Sequence, residues 1–509
     1  MKSGRSKRVV GLMFAICWFS NVALADVYVA DYFGPHMVLQ RDEPIIVWGT
    51  ADPGQAFSVR LGENTIVTRA GEQGHWTAEF AARPASIEPI ALSVGDTRIE
   101  DILIGDVWLN SGQSNMAWPL NRTDAFDAQV IESNPHLRLM HMLNPRAVAK
   151  DGYTDDELAR SNVNDFFAGQ WEISDADSAA SFSSVAWVMG NNLSQELGVP
   201  IGLVQIAVGG SAINNWLPPA LLRQHPHTAH LYRGDWLEND KVHPPHRRRA
   251  REAFQKVLID GESFRAGQMP YRWMCEPGFL YEAGIEPLKL LSFKGVTWYQ
   301  GETDATHFEV THQYRDLLPL LIQSWRASFS DDSLPFIIVQ LPRYNVPTWP
   351  MFRHLQAEVA DQVDNTSLVI ALDTGSEDNI HPFDKLRIGE RVALAALDDI
   401  YRRRKILSYP EPASIRLRAD RIRLKLRYFD TGRRGEEAPG FEVGDQYGNF
   451  WPASAEFSAK NRIDVQSPVD CPRFLRYGWF PYLNNVLVSA DGMPVAPFRV
   501  ELEPRRNCD

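Results

Sequence analysis

Between residues 102 and 401, short apolar runs alternate with helical stretches, and this alternation constrains the fold more than any other feature of the sequence. Ile102-Leu103-Ile104 and Val107-Trp108-Leu109 come first. A helical stretch over 185–197 ends at Gly198 and leads into the apolar run 201–208. Runs at 295–299, 336–341 and 367–372 follow, with helical patterns over 316–329 and 387–401. Strands that are apolar at every position, not only at alternate ones, must be covered on both faces. The pattern therefore predicts an α/β fold, a parallel sheet flanked by helices.

The flanks read differently. Residues 26–101 carry short strands and turns, such as Ile45-Ile46-Val47-Trp48-Gly49, the turn Asp52-Pro53-Gly54 and the run 56–61. In the last hundred residues Ile422, Leu424, Leu426 and Tyr428 alternate with charged residues, as in a half-buried strand. The stretch 217–285 is rich in His, Pro and Arg and breaks the α/β alternation; a helix is expected there through Leu258. The expected organisation is a signal peptide (1–25), an N-terminal β-domain (26–101), a catalytic domain in two parts (102–216 and 286–405) around an insertion (217–285), and a C-terminal β-domain (406–509). Insertions at the strand-end face often shape access to a site.

Lys2, Arg5, Lys7 and Arg8, an apolar stretch over 9–19 and Ala23-Leu24-Ala25 read as an export signal cleaved before Asp26. Losing those four cations moves the formal net charge from −12 to −16. So acidic a protein disfavours nucleic acid and anionic membranes as partners, and no later run is long and apolar enough to span a bilayer. The expected location is periplasmic or secreted. Cys275, Cys471 and Cys508 remain after cleavage, and the last two could pair. Without a CxxC spacing a zinc site has little support, and His225, His227 and His230 lack nearby acidic residues in sequence. Arg247-Arg248-Arg249 reads as a solvated helix face.

Four segments each follow an expected strand, where parallel sheets hold their active sites. Gly112-Gln113-Ser114-Asn115-Met116 exposes a hydroxyl on a small-residue turn; taken alone, Ser114 suits helix capping better. Gly209-Gly210-Ser211, followed by Asn214 and Trp216, lets backbone N–H groups approach a ligand, or is a plain turn. Trp298-Tyr299-Gln300-Gly301-Glu302-Thr303-Asp304 offers an amide donor in Gln300, with Glu302 either orienting a histidine or buried as a structural carboxylate. In Asp378-Asn379-Ile380-His381 the carboxylate can fold back onto one ring nitrogen, leaving the other to accept a serine proton.

GQSNM, GGS with a nearby Trp, WYQGE and DxxH, in that order, resemble the SGNH hydrolase superfamily, and within it the sialate O-acetylesterase-like carbohydrate esterases. Phe33 with the segment 36–41 resembles that family's N-terminal region. Arg476-Tyr477-Gly478-Trp479, Asp491-Gly492-Met493-Pro494 and Pro497-Phe498-Arg499 resemble its C-terminal end. The resemblance implies an SGNH-type, flavodoxin-like sheet with β-sandwich or jelly-roll-like terminal regions. It implies Ser114 as nucleophile, His381 as general base and Asp378 as its partner, with an oxyanion hole from the N–H groups of Ser114 and Gly210 (or Gly209). Many relatives have Asn where Asp304 stands. A carboxylate cannot donate, so Gln300 takes the remaining oxyanion role, with Glu302 and Asp304 in support.

No metal or organic cofactor is implied. The implied substrate is an acetylated carbohydrate, with Asn115, Trp118 and Trp216 as candidate contacts; Trp298 and Tyr299 either stack on sugars or pack in the core. No arginine stands out as a clamp for a sialate carboxylate. That favours neutral plant glycans such as xyloglucan or xylan, with a sialate O-acetylesterase as the alternative. An SGNH esterase or thioesterase of lipids, and a non-catalytic glycan-binding protein, are the other classes considered.

Overall fold

The structure, a computed structural model, describes residues 27–124, 126–127, 131–258, 271–403, 408–418 and 421–503. The expected signal peptide and Cys508 lie outside these residues. The main sheet contains β1 (Thr97–Gly112), β2 (Asn134–His141), β3 (Trp171–Ser174), β4 (Ile201–Ala207), β5 (Gly295–Tyr299), β6 (Phe336–Val339) and β7 (Thr366–Val369), in the order β3-β2-β4-β1-β5-β6-β7. All neighbours on this path are parallel except the edge pair β3–β2. Every residue of β4, β5 and β6 is buried, as their unbroken apolar character requires.

Around β1 the order is doubly wound. From β1 the chain lays down β2, β3 and β4 on one side, then returns past β1 to β5 on the other. The crevice outside the carboxyl ends of β1 and β5 is the switch point, where such sheets bind their ligands. The longer helices are α1 (Ser184–Leu197), α2 (Pro244–Ala253, in the insertion), α3 (Phe308–Ser328), α4 (Trp349–Gln362) and α5 (Leu386–Ala395). α1 starts on a side-chain cap, Ser183 accepting from the N–H of Ala186, and ends at Gly198 with φ 63°, matching its sequence signals.

Several boundaries differ from expectation: α3 begins at Phe308, eight residues before the expected 316. The helix in the insertion ends at Ala253, five residues early. The expected border at 101/102 falls inside β1, a single sixteen-residue strand. Its first half pairs with Val38–Gln40 and Ser86–Val94 of the N-terminal region, its second half with β4 and β5. Buried Asp106 sits at the changeover, accepting from Arg41 at 2.8 and 3.0 Å and from the Tyr401 hydroxyl at 2.9 Å.

The C-terminal region forms two four-stranded sheets with their own apolar core. Ile422, Leu424 and Leu426 point inward as expected; Tyr428 does not, because the strand ends at Arg427 and Tyr428 turns outward with φ 57°. Cys471 is disulfide-bonded, and Cys275 is a buried free thiol.

Candidate active site

The four chemistry-bearing segments converge at the switch point. The nucleophile turn leaves β1 at Gly112, whose φ is 140° and on which a Cβ would lie 2.1 Å from the Tyr299 carbonyl oxygen. Only glycine fits there, and the next residue is fixed by Gln113 N–H donating to that carbonyl at 3.0 Å. The Gln113 side chain then accepts from Gln300 Nε2 at 3.2 Å and from the N–H groups of Gly301 and Thr303 at 3.3 and 3.4 Å. The β1 and β5 loops are thereby tied together.

Ser114 Oγ lies 2.8 Å from His381 Nε2 across 267 residues of chain. This bond joins two residues singled out in the sequence, in the geometry a serine–histidine pair needs. The imidazole ring stacks on Trp118, with centroids 4.8 Å apart and planes at 23°, and the backbone N–H of His381 donates to Asn379 Oδ1 at 2.9 Å. Burial is the main cause of a histidine pKa lowered to about 4, and the nearby charge of Lys385 adds to it. His381 is thus neutral, and able to accept a proton, down to about pH 4. With nitrophenyl acetate as substrate, kcat/KM is expected to hold down to about that pH and fall below it, as protonation removes the acceptor. An acid limb at 6.5, the value of a solvated histidine, would contradict this environment.

Several expected roles change. Asp378 does not reach the histidine: its carboxylate accepts from Ser376 Oγ at 3.2 Å, bracing the turn, and among the described residues no hydrogen bond or ion pair joins it to His381. Gln300 cannot serve an oxyanion, because its Nε2 already donates to Asp304 at 2.6 Å, to the Ser211 carbonyl at 3.1 Å and to Gln113. Asp304, the position where the resemblance fails, holds that donor in place and also accepts from the Ile213 N–H at 3.0 Å, fixing the glycine loop. Burial raises its carboxyl to about 7, against the pull of the Gln300 bond.

Asn115 is fully buried and cannot touch a substrate. Its amide bridges Lys385, which donates to Oδ1, and Glu302, which accepts from Nδ2; Nδ2 also donates to the Ile380 carbonyl at 3.1 Å. Glu302 is therefore the buried structural carboxylate, not the histidine's partner. Burial raises its pKa, while the Asn115 bond, the charge of Lys385 and the backbone N–H groups of Glu302 and Gly301 oppose the rise. Trp216 and Trp298 are fully buried and pack edge-on with each other and with Trp325, at centroid distances of 5.6–6.4 Å. Each such pair adds about 0.5–1.5 kcal/mol beyond burial, so these tryptophans, like buried Tyr299, belong to the core. Trp118 serves the histidine.

Gly209 comes close to the nucleophile: a Cβ on it would lie 3.6 Å from Ser114 Cβ. Within the described residues the backbone N–H groups of Ser114, Gly209 and Gly210 make no hydrogen bond. A cavity of about 650 Å³ opens beside this loop, between the insertion and the sheet, bounded by Ala212, Asn214, His243, His246, Thr303 and His307. Among the described residues no group of three or more His, Cys, Asp or Glu side chains could hold a metal. His227 does have a carboxylate neighbour that the sequence did not suggest, Asp316 at 3.0 Å.

A family model described as "Carbohydrate esterase, sialic acid-specific acetylesterase" matches residues 104–237 and 263–398, just over half of the chain. The chain belongs to this carbohydrate esterase family. The rat sialate O-acetylesterase is 27% identical over 98% of this chain and 99% of its own length. The human sialate O-acetylesterase is 25% identical over 83% and 80% respectively. Among solved structures, a carbohydrate acetylesterase from Xanthomonas citri superposes with a TM-score of 0.74 at 27% identity, covering 93% of this chain and 99% of that one. This carbohydrate esterase is accordingly an ester hydrolase of mixed α/β fold with added β-sandwich-like sheets. Sequence reasoning missed Lys385, four residues after His381, because nothing in a local pattern marks a lysine as buried.

Proposed function

We propose that this esterase removes acetyl groups from carbohydrates through an acetyl-enzyme on Ser114. The observation that carries the reading is the 2.8 Å bond between Ser114 Oγ and His381 Nε2 at the switch point. Ser114 Oγ attacks the acetyl carbonyl carbon while His381 Nε2 takes its proton. The oxyanion that forms is held by the N–H groups of Ser114 and Gly209 or Gly210. His381 then returns the proton to the sugar oxygen as the ester C–O bond breaks. Water repeats the sequence on the acetyl-serine and releases acetate. The imidazole is oriented by stacking on Trp118, and the Asn379 bond holds the backbone that carries it, so the working unit is a serine–histidine pair, with Asp378 bracing the loop.

Export is part of this reading. It rests on the signal-like residues 1–25 and agrees with a disulfide at Cys471, a bond that persists in oxidising compartments. The preference for neutral plant glycans rested on the lack of a suitable arginine; the closeness of half-buried Arg249 to Gly210 supports acidic sugars as well. The test is acetate release by the full chain from acetylated xylan, xyloglucan and O-acetylated N-acetylneuraminate, beside a long-chain acyl ester. Acetate from at least one carbohydrate, at a higher kcat/KM than for the long-chain ester, is the expected result; release from none of them would refute the proposal.

A further inference from the structure

The insertion helix α2 carries four arginines, Arg247, Arg248, Arg249 and Arg251. Three have partners: exposed Arg248 with Glu252 at 3.8 Å, exposed Arg251 with Glu238 at 2.8 Å, and half-buried Arg247 with the Leu237 carbonyl at 3.5 Å. Arg249 is different. It is half-buried, and its Nη1 lies so close to Gly210 that a Cβ there would stand 2.6 Å away. Among the described residues no hydrogen bond or ion pair engages it. Its charge adds to the lowering of the His243 and His246 pKa values and pulls against the rise that burial gives the Cys275 thiol. His246, one turn earlier on α2, donates Nε2–H to the Gly210 carbonyl at 2.8 Å and so docks the helix on the glycine loop.

The nucleophile and this guanidinium therefore flank one glycine pair, Ser114 against Gly209 and Arg249 against Gly210. The path between them through the two glycines is no longer than about 13 Å, a span that one or two sugar rings cover. The chain carries a formal charge of −12, so an acidic sugar needs a local cation to approach the site. The family model matches up to residue 237 and again from 263, and skips α2.

We propose that Arg249 is a specificity-determining residue that binds a carboxylate on the acetylated sugar. The inference rests on the acetylesterase reading and names its substrate class as sugar acids. A guanidinium with its donors unengaged fits a planar carboxylate in two parallel hydrogen bonds, and lysine cannot copy that geometry. Sialic and uronic acids present the same group, and the experiment separates them.

The full-length enzyme, Arg249→Gln and Arg249→Lys are compared on O-acetylated N-acetylneuraminate, its carboxyl methyl ester, acetylated oligogalacturonides, acetylated xylo-oligosaccharides and nitrophenyl acetate. The wild type is expected to favour one of the acids over its uncharged counterpart. In Arg249→Gln, kcat/KM on that acid should fall about 10- to 100-fold further than on the methyl ester or on nitrophenyl acetate, mainly through KM. The acid that shows the effect identifies the source of the carboxylate.

An equal fall on every substrate would make Arg249 an oxyanion or structural residue, and no fall would leave it idle; either result overturns the proposal. A selective loss in Arg122→Gln instead, at the exposed arginine over Trp118, would also overturn it. If no carbohydrate releases acetate, the acetylesterase reading fails first. Inhibition of nitrophenyl acetate hydrolysis by free N-acetylneuraminate or galacturonate, weakened in Arg249→Gln, then still reads the clamp, and its absence overturns it.

Discussion

Replacing Ser114 by alanine is expected to lower kcat/KM for acetate release by roughly 10⁴-fold or more while leaving the fold intact. The attacking oxygen is gone, and among the described residues no other hydroxyl makes a hydrogen bond to His381 Nε2. Structurally the change is mild, because among the described residues the hydroxyl's hydrogen bond is the one to His381. His381→Ala should cost a similar factor. The double variant should cost little more than either, since residues that act as one unit are not additive. Acetate release by the three variants, with circular dichroism to confirm folding, makes the check. A Ser114→Ala enzyme with more than a few per cent of wild-type turnover would remove Ser114 as nucleophile.

The second large effect is on stability. Lys385 and Glu302 are fully buried and linked through the Asn115 amide, which directs its oxygen to the lysine and its nitrogen to the carboxylate. Burial lowers the lysine pKa and raises that of the glutamate, and each opposes the other's shift. Lys385→Met leaves a buried carboxylate without its counter-charge and should destabilise the fold by about 3–5 kcal/mol. Adding Glu302→Gln removes the stranded charge, so the double variant should recover a large part of that loss. Urea denaturation of the single and double variants measures this coupling. A Lys385→Met protein as stable as wild type would show that the network is not a charge pair. In soluble Lys385→Met enzyme, the acid limb of kcat/KM should move up from about 4, because one of the two causes depressing the His381 pKa is gone.

Much of the site was legible in sequence because its chemistry follows strand ends. Ser114, Gly209 and His381 each sit just beyond an apolar run, and the sheet order brings those ends together without further instruction. What lay hidden was which partner each polar group chooses. Gln300 looks like a free donor in sequence, yet three acceptors surround its amide nitrogen in space. Asp378 looks like the histidine's partner by spacing, yet Ser376, two residues before it, captures its carboxylate. The tryptophans near the motifs could have faced sugar or core; Trp298 in β5 and Trp216 in the short helical turn Ile213–Trp216 both face inward, and only the fold decides that. Arg249 read as solvated because it stands in a run of like charges; exposed Arg248 is its neighbour, and one residue along a helix is a rotation of about 100°, enough to turn a side chain from water to the glycine loop.

The strand β1 has a consequence for how this enzyme could be dissected. Its residues 97–105 are sheathed by the N-terminal strands, and residues 106–112 run on to the nucleophile turn. A fragment begun at residue 102 would strip the flanks from Ile102, Leu103 and Ile104, all buried, and leave an open, sticky edge. It would also remove Arg41 from the buried Asp106. The reacting serine is thus held at the end of a beam whose other end is anchored in the N-terminal sheet, and the catalytic part is not a portable module.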